Sequence, residues 1–145
     1  MLSERLERAF TSSRAETDPR SRDPRLLGRT YAIPFDQVWR ASLDLVEGHR
    51  HWALLQTNDV EGYIRVRCET PLLKFVDDLE IRIGLDGHAL TRVDAKSRSR
   101  KKRVDLGIHA RRIGRFLRHL DRALNAGPGT ILDPNLLETW SSEAG

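Results

Sequence analysis

The sequence is poor in the residues that usually announce a chemistry. It has one cysteine, Cys68, which excludes an internal disulfide and any metal site built on paired thiols, and fits a reducing compartment. No window approaches the roughly 18 consecutive apolar residues of a membrane span. The opening MLSERLERAF carries four charges where a signal peptide would place its apolar run. The expected location is therefore the cytoplasm. Glycine-rich phosphate loops of the G-x-x-x-x-G-K or G-x-G-x-x-G type are missing, as are C-x-x-C, H-x-x-x-H and G-x-S-x-G. His49 and His51 stand near the end of a helical segment without ligand spacing. No metal and no cofactor are expected.

What the chain does have is positive charge in one place. Lys96 to Arg122 holds eleven Lys or Arg against Asp105 and Asp121, a local charge of +9 in a chain whose total is +4. That segment dominates the protein's field.

At 145 residues the chain is expected to be one domain. Residues 1–25 contain a short amphipathic stretch (Leu2, Leu6, Ala9, Phe10) and then TSSRAETDPRSRDPR, which has too little apolar surface to offset ordering. They are expected to form a flexible arm. From residue 26 the pattern becomes regular. GRTYAIP has strand character up to Pro34. Asp36 is the expected cap of a helix whose Val38, Trp39, Ser42, Leu45 and Val46 share one face, with Gly48 as its stop. WALLQT and GYIRVRCET form a hairpin. In the second strand Ile64, Val66, Cys68 and Thr70 face the core, and Tyr63, Arg65, Arg67 and Glu69 face water. DDLEIRIGL puts Leu79, Ile81, Ile83 and Leu85 inward, and Asp86-Gly87 turns it into ALTRVDAKSRSR. There Thr91, Val93, Ala95, Ser97 and Ser99 share a face. In the last helix, capped by Asp105, Ile113, Phe116, Leu117, Leu120 and Leu124 oppose Arg111, Arg115, Arg118 and Arg122. The expected fold is α+β: an antiparallel meander in β-α-β-β-β-β-α order with two amphipathic helices on one face. The domain spans residues 26–125, and a tail, 126–145, keeps Ile131, Leu132, Leu136, Leu137 and Trp140 for docking.

TPLLKFVDDLEIRI and DAKSRSRKKRVDLGIHARRIGRFLRHL, with YAIPFDQVWRASLDLV upstream, resemble the family called domain of unknown function 1499 over about residues 28–124. The likeness rests on Asp77-Asp78, Ser97-Arg98-Ser99-Arg100, Asp105-Leu106-Gly107, Arg112-Ile113 and Phe116-Leu117. His109 departs from the asparagine usual in that family. The resemblance supports the domain boundaries and transfers no catalytic residue.

Three candidate sites follow. The first is a basic surface formed by Arg98, Arg100, Lys101, Lys102, Arg103, Arg111, Arg115 and Arg118. It would hold an anionic partner such as a membrane surface, an acidic protein or a nucleic acid, though few aromatics lie among the charges for stacking on bases. The bland counterpart is a solvated turn and helix face. The second is a polar cluster of Ser97, Ser99, Asp105 and His109, which would line a ligand pocket or run acid–base chemistry. Its bland counterpart has Asp105 capping the helix, the serines satisfying backbone, and His109 packing against Asp105. The third, Asp77 with Asp78, is expected to pair with an arginine of a neighbouring strand or to bound a turn. The preferred expectation is a non-catalytic binding module using the basic surface. The alternative is a small-molecule site or enzyme at the polar cluster.

Overall fold

The computed structural model describes residues 13–103 and 107–136. Its centre is an antiparallel meander of β3 (Trp52–Asn58), β4 (Tyr63–Glu69), β5 (Val76–Leu85) and β6 (Thr91–Ser99). Period-two alternation builds it. Ile64, Val66 and Cys68 on β4, Leu79, Ile81 and Ile83 on β5, and Val93, Ala95 and Ser97 on β6 are buried on one face. Two helices, α1 (Phe35–Gly48) and α2 (Ile108–Ala123), cover that face. The expected β-α-β-β-β-β-α order and the α+β class are what the chain adopts.

The far edge of β6 is shared by two short strands. β2 (Arg29–Tyr31) pairs with Thr91–Val93, and β1 (Arg14–Glu16) pairs with Lys96–Arg98. β7 (Ile131–Leu132) then adds to β2. The expectation of a flexible arm therefore fails for residues 13–25. These residues are held by backbone hydrogen bonds, with Thr17 N donating to the Ala95 carbonyl and Ser99 N to the Ser13 carbonyl. Such bonds need no apolar side chain, so composition does not register them. A 3₁₀ turn, Pro24–Leu26, presses onto α2 at buried Gly114, where an added Cβ would lie 3.0 Å from Arg25 Cβ. The stretch expected to be helical at residues 2–10 and the tail residues Leu137 and Trp140 lie outside the described residues.

Four local expectations are corrected. The N-cap of α1 is Pro34, and Asp36 sits in the first turn, where it faces the positive end of the helix dipole without capping it. The N-cap of α2 is Gly107, at a left-handed φ of 76° that favours glycine; Asp105 lies outside the described residues. Leu85 is exposed, because β5 runs on beyond the cover of the helices. Tyr63, expected to be wet, is buried under the guanidinium groups of Arg65 and Arg82, 4.5 and 5.8 Å from its ring centre.

Candidate functional site

Where β5, β6 and α2 meet, the core turns polar. Asp77 lies on the inward face of β5 in line with Leu79 and Ile81, and it is fully buried. Its Oδ2 accepts from Arg103 Nη2 at 2.9 Å and from Arg112 Nη1 at 2.8 Å. Burial would push this carboxyl up, but the Arg103 hydrogen bond and the charge and hydrogen bond of Arg112 outweigh it and hold the group below the ordinary carboxylate range. Its second oxygen, Oδ1, is the one buried side-chain polar atom without a partner among the described residues.

Arg112 carries the network onward. Its Nη1 donates to Ser97 Oγ at 2.9 Å, and the same hydroxyl is hydrogen-bonded to His109 Nδ1 at 2.7 Å. The same Nη1 stands 3.4 Å from Nδ1. The other ring nitrogen, Nε2, lies 2.9 Å from Ser99 Oγ and 3.3 Å from Ser13 Oγ. Ser13 and Ser99 are themselves 2.6 Å apart. The structure thus brings Ser97, Ser99 and His109 together, and the serines bond the imidazole. Ser97 and His109 are buried and line neither described cavity. A serine nucleophile has to reach its substrate, and this one is enclosed. What the cluster does is fix the position and rotamer of Arg112.

Arg112 is also where this interior meets a groove of about 500 Å³. The end of α1 and the start of β3 supply Leu45, His49, His51 and Trp52; α2 supplies Arg111, Arg112, Arg115, Phe116 and His119. The floor is aromatic, with His49 stacked on Trp52 at 4.3 Å and Trp52 tilted against Phe116 at 6.2 Å. The opposite wall is the β4–β5 connection, which includes Leu72 and Leu73. This loop is closed on itself by Phe75 N donating to Thr70 Oγ1 and Lys74 N to the Thr70 carbonyl. Arg103 clamps it, lying 4.5 Å over the Phe75 ring. Leu72 and Leu73 are consequently held out at 94% and 64% exposure, a level of apolar exposure that marks a binding surface when it adjoins a groove. Burial first, then the neighbouring His51 and His119 and the cations Arg112 and Arg115, hold His49 below the ordinary histidine range.

The basic residues do not form one surface. Lys96 and Arg98 point away from the helices, on the opposite face of the sheet. Arg100 is paired with Asp78, and Arg103 with Asp77. Arg111 and Arg115 line the groove, whereas Arg118 lies on the side of α2 where the 3₁₀ turn docks. Lys101 and Lys102 are exposed. Asp77 and Asp78 do bond arginines, Arg112 and Arg100, and so belong to the framework. The residues missed from sequence are Arg112, Ser13 and the groove-lining Trp52, Leu72 and Leu73. Arg112 was detectable: three positions after His109, it falls on the same face of the helix.

Comparison with known families gives a match between residues 6–120 and the family described as "Protein of unknown function (DUF1499)". The chain belongs to the DUF1499 family. The match begins well upstream of residue 28 and takes in β1, in keeping with the pairing of that strand to β6. No curated protein matches the chain. Membership in DUF1499 assigns no residue a role. Among the described residues, no helix is long and apolar enough to cross a membrane, and no three His, Cys, Asp or Glu side chains are grouped to hold a metal ion.

Proposed function

We propose that this chain is a non-catalytic binding module that takes a small amphipathic anion into the groove between α1, α2 and the β4–β5 connection. The observation that carries this reading is the joining of two opposite chemistries in one concavity. Trp52, Phe116, Leu72 and Leu73 offer apolar contact, and Arg111, Arg112 and Arg115 offer charge. The volume suits a ligand of small-molecule size. An enzyme built on Ser97 and His109 is less favoured, because those groups spend their hydrogen bonds on one another and on Arg112. A purely electrostatic partner surface is also less favoured, since the cations are split between two faces and several are already paired. The free thiol of buried Cys68 fits a reducing compartment, and we place the module in the cytoplasm on that ground.

The test is calorimetric titration of the full chain with straight-chain alkanoates from hexanoate to dodecanoate. Each added methylene entering the groove should tighten binding about fourfold, the equivalent of about 0.8 kcal/mol of apolar transfer. Replacing Leu72 and Leu73 together by serine should flatten that rise. Affinity that does not depend on chain length would sink the reading. Binding only to anionic vesicles, with no binding of free alkanoate, would point instead to a membrane surface as the partner.

A further inference from the structure

The groove contains one arginine unlike its neighbours. Among the described residues every side-chain contact of Arg112 with a polar partner comes from Nη1, which serves Asp77, Ser97 and His109. Neither Nε nor Nη2 has a partner among the described residues. They are not sealed in the interior either, because Asp77 Oδ1 is the one buried atom left unpaired there. Arg112 is one of the residues lining the groove, and its unpaired Nε–Nη2 edge is the part of the side chain left to meet a ligand there.

The protein itself shows what that edge binds. Arg25 uses Nε and Nη2 to hold Asp23, Arg29 uses them to hold Asp121, and Arg100 uses them to hold Asp78, with N to O distances between 2.8 and 3.2 Å. In each case two parallel N–H groups meet the two oxygens of one carboxylate, the side-on fork for which the planar guanidinium is shaped. Charge counting agrees. The single carboxylate of Asp77 is shared by two arginines, Arg103 and Arg112, whose side chains are only 13% and 9% exposed. Among the described residues that leaves one carboxylate for two guanidinium groups, and a charge so little exposed to water favours a counter-ion.

We infer that the ligand of the groove is a monocarboxylate whose head is held side-on by the free Nε–Nη2 edge of Arg112, with its apolar body along Trp52 and Phe116. The inference rests on the groove reading above and narrows it to one head group and one residue. Asp77, Ser97 and His109 are positioning residues in this scheme. They hold Nη1 and leave the opposite edge unpaired, and they touch no ligand.

The experiment compares decanoate, decyl phosphate and decan-1-ol, titrated into the full chain, its Arg112→Lys variant and an Arg111→Gln/Arg115→Gln double variant. Lysine keeps the charge beside Asp77 and removes the fork. The wild-type chain should prefer decanoate to decan-1-ol by about tenfold or more, as for a charge-assisted hydrogen-bonded pair. Arg112→Lys should lose most of that preference with decan-1-ol binding unchanged, and the double variant should keep it. The Nε–H resonance of Arg112 in the wild-type chain, followed by NMR, should shift on adding decanoate and stay still with decan-1-ol, a readout that needs no variant to fold. Tighter binding of decyl phosphate than of decanoate overturns the inference, as does loss of the preference in the double variant but not in Arg112→Lys, or an unmoved Arg112 signal. The groove reading survives each of those outcomes, because it stands or falls on chain-length dependence.

Discussion

The two faces of the sheet use the same ingredients, arginine and carboxylate, to opposite ends. On the outer face Glu80 lies between Arg65 and Arg82, and Asp78 meets Arg100, all with side chains 25 to 56% exposed. On the inner face Asp77 meets Arg103 and Arg112 with its own side chain fully buried. Neighbouring residues of one strand, Asp77 and Asp78, thus make chemically identical bonds in different media. Water screens the outer pairs, and their net worth is small. The inner pair gave up hydration to form, so removing one partner leaves an uncompensated charge in the interior.

The sharpest way to break the comparison is at Asp77. Asp77→Ala leaves Arg103 and Arg112 without their carboxylate and should cost about 3–5 kcal/mol in urea denaturation. Acid should act on the same bond. The folded carboxyl titrates below its unfolded value, so its contribution is complete above the ordinary aspartate pKa of about 3.9. It is lost as pH falls through the lowered folded value. Asp77→Asn should remove that part of the acid transition and leave the neutral range flat. His109→Leu comes next. It keeps apolar volume but strips the hydroxyls of Ser97 and Ser99 of their shared partner, and should cost about 1–3 kcal/mol, with His109→Asn costing less because an amide can still bond a serine. Smallest is Glu80→Gln on the outer face. A change beyond about 1 kcal/mol there would mean that the ladder is more than a set of screened pairs.

The alternation of β5 and β6 and the arc of Ile113, Phe116, Leu117 and Leu120 were legible because burial on one face imposes a period that side chains cannot hide. That period also predicted Asp77 on the inward face, yet a charged residue is so rarely buried that its place in the pattern went unused. Arg112 was obscured in the same way, entering only the charge total of its segment and the family likeness. The strand and helix faces put Ser97, Ser99 and His109 at one end of the sheet, but the sequence could not show that both serines bond the imidazole and that the three line neither described cavity. The groove was not legible at all. Its walls come from a loop closed by Thr70 and from the angle at which α1 ends against β3, and neither leaves a period in the sequence. β1 was missed because its pairing is carried by backbone between segments far apart in the chain: Ser13 and Ser99 meet across 86 residues.

That last pairing also orders events during synthesis. β1 is made early, and β6, the strand it needs, follows on the order of ten seconds later at ordinary elongation rates. β2 waits on the same strand. β3 to β6, joined by short turns, pair with neighbours in sequence and need no such delay. β1, made before the other described strands, is therefore among the last of them to find its place. When it does, it brings Ser13 onto Ser99 and His109, so the hydrogen-bonded chain that steadies Arg112 is completed only when the sheet has closed.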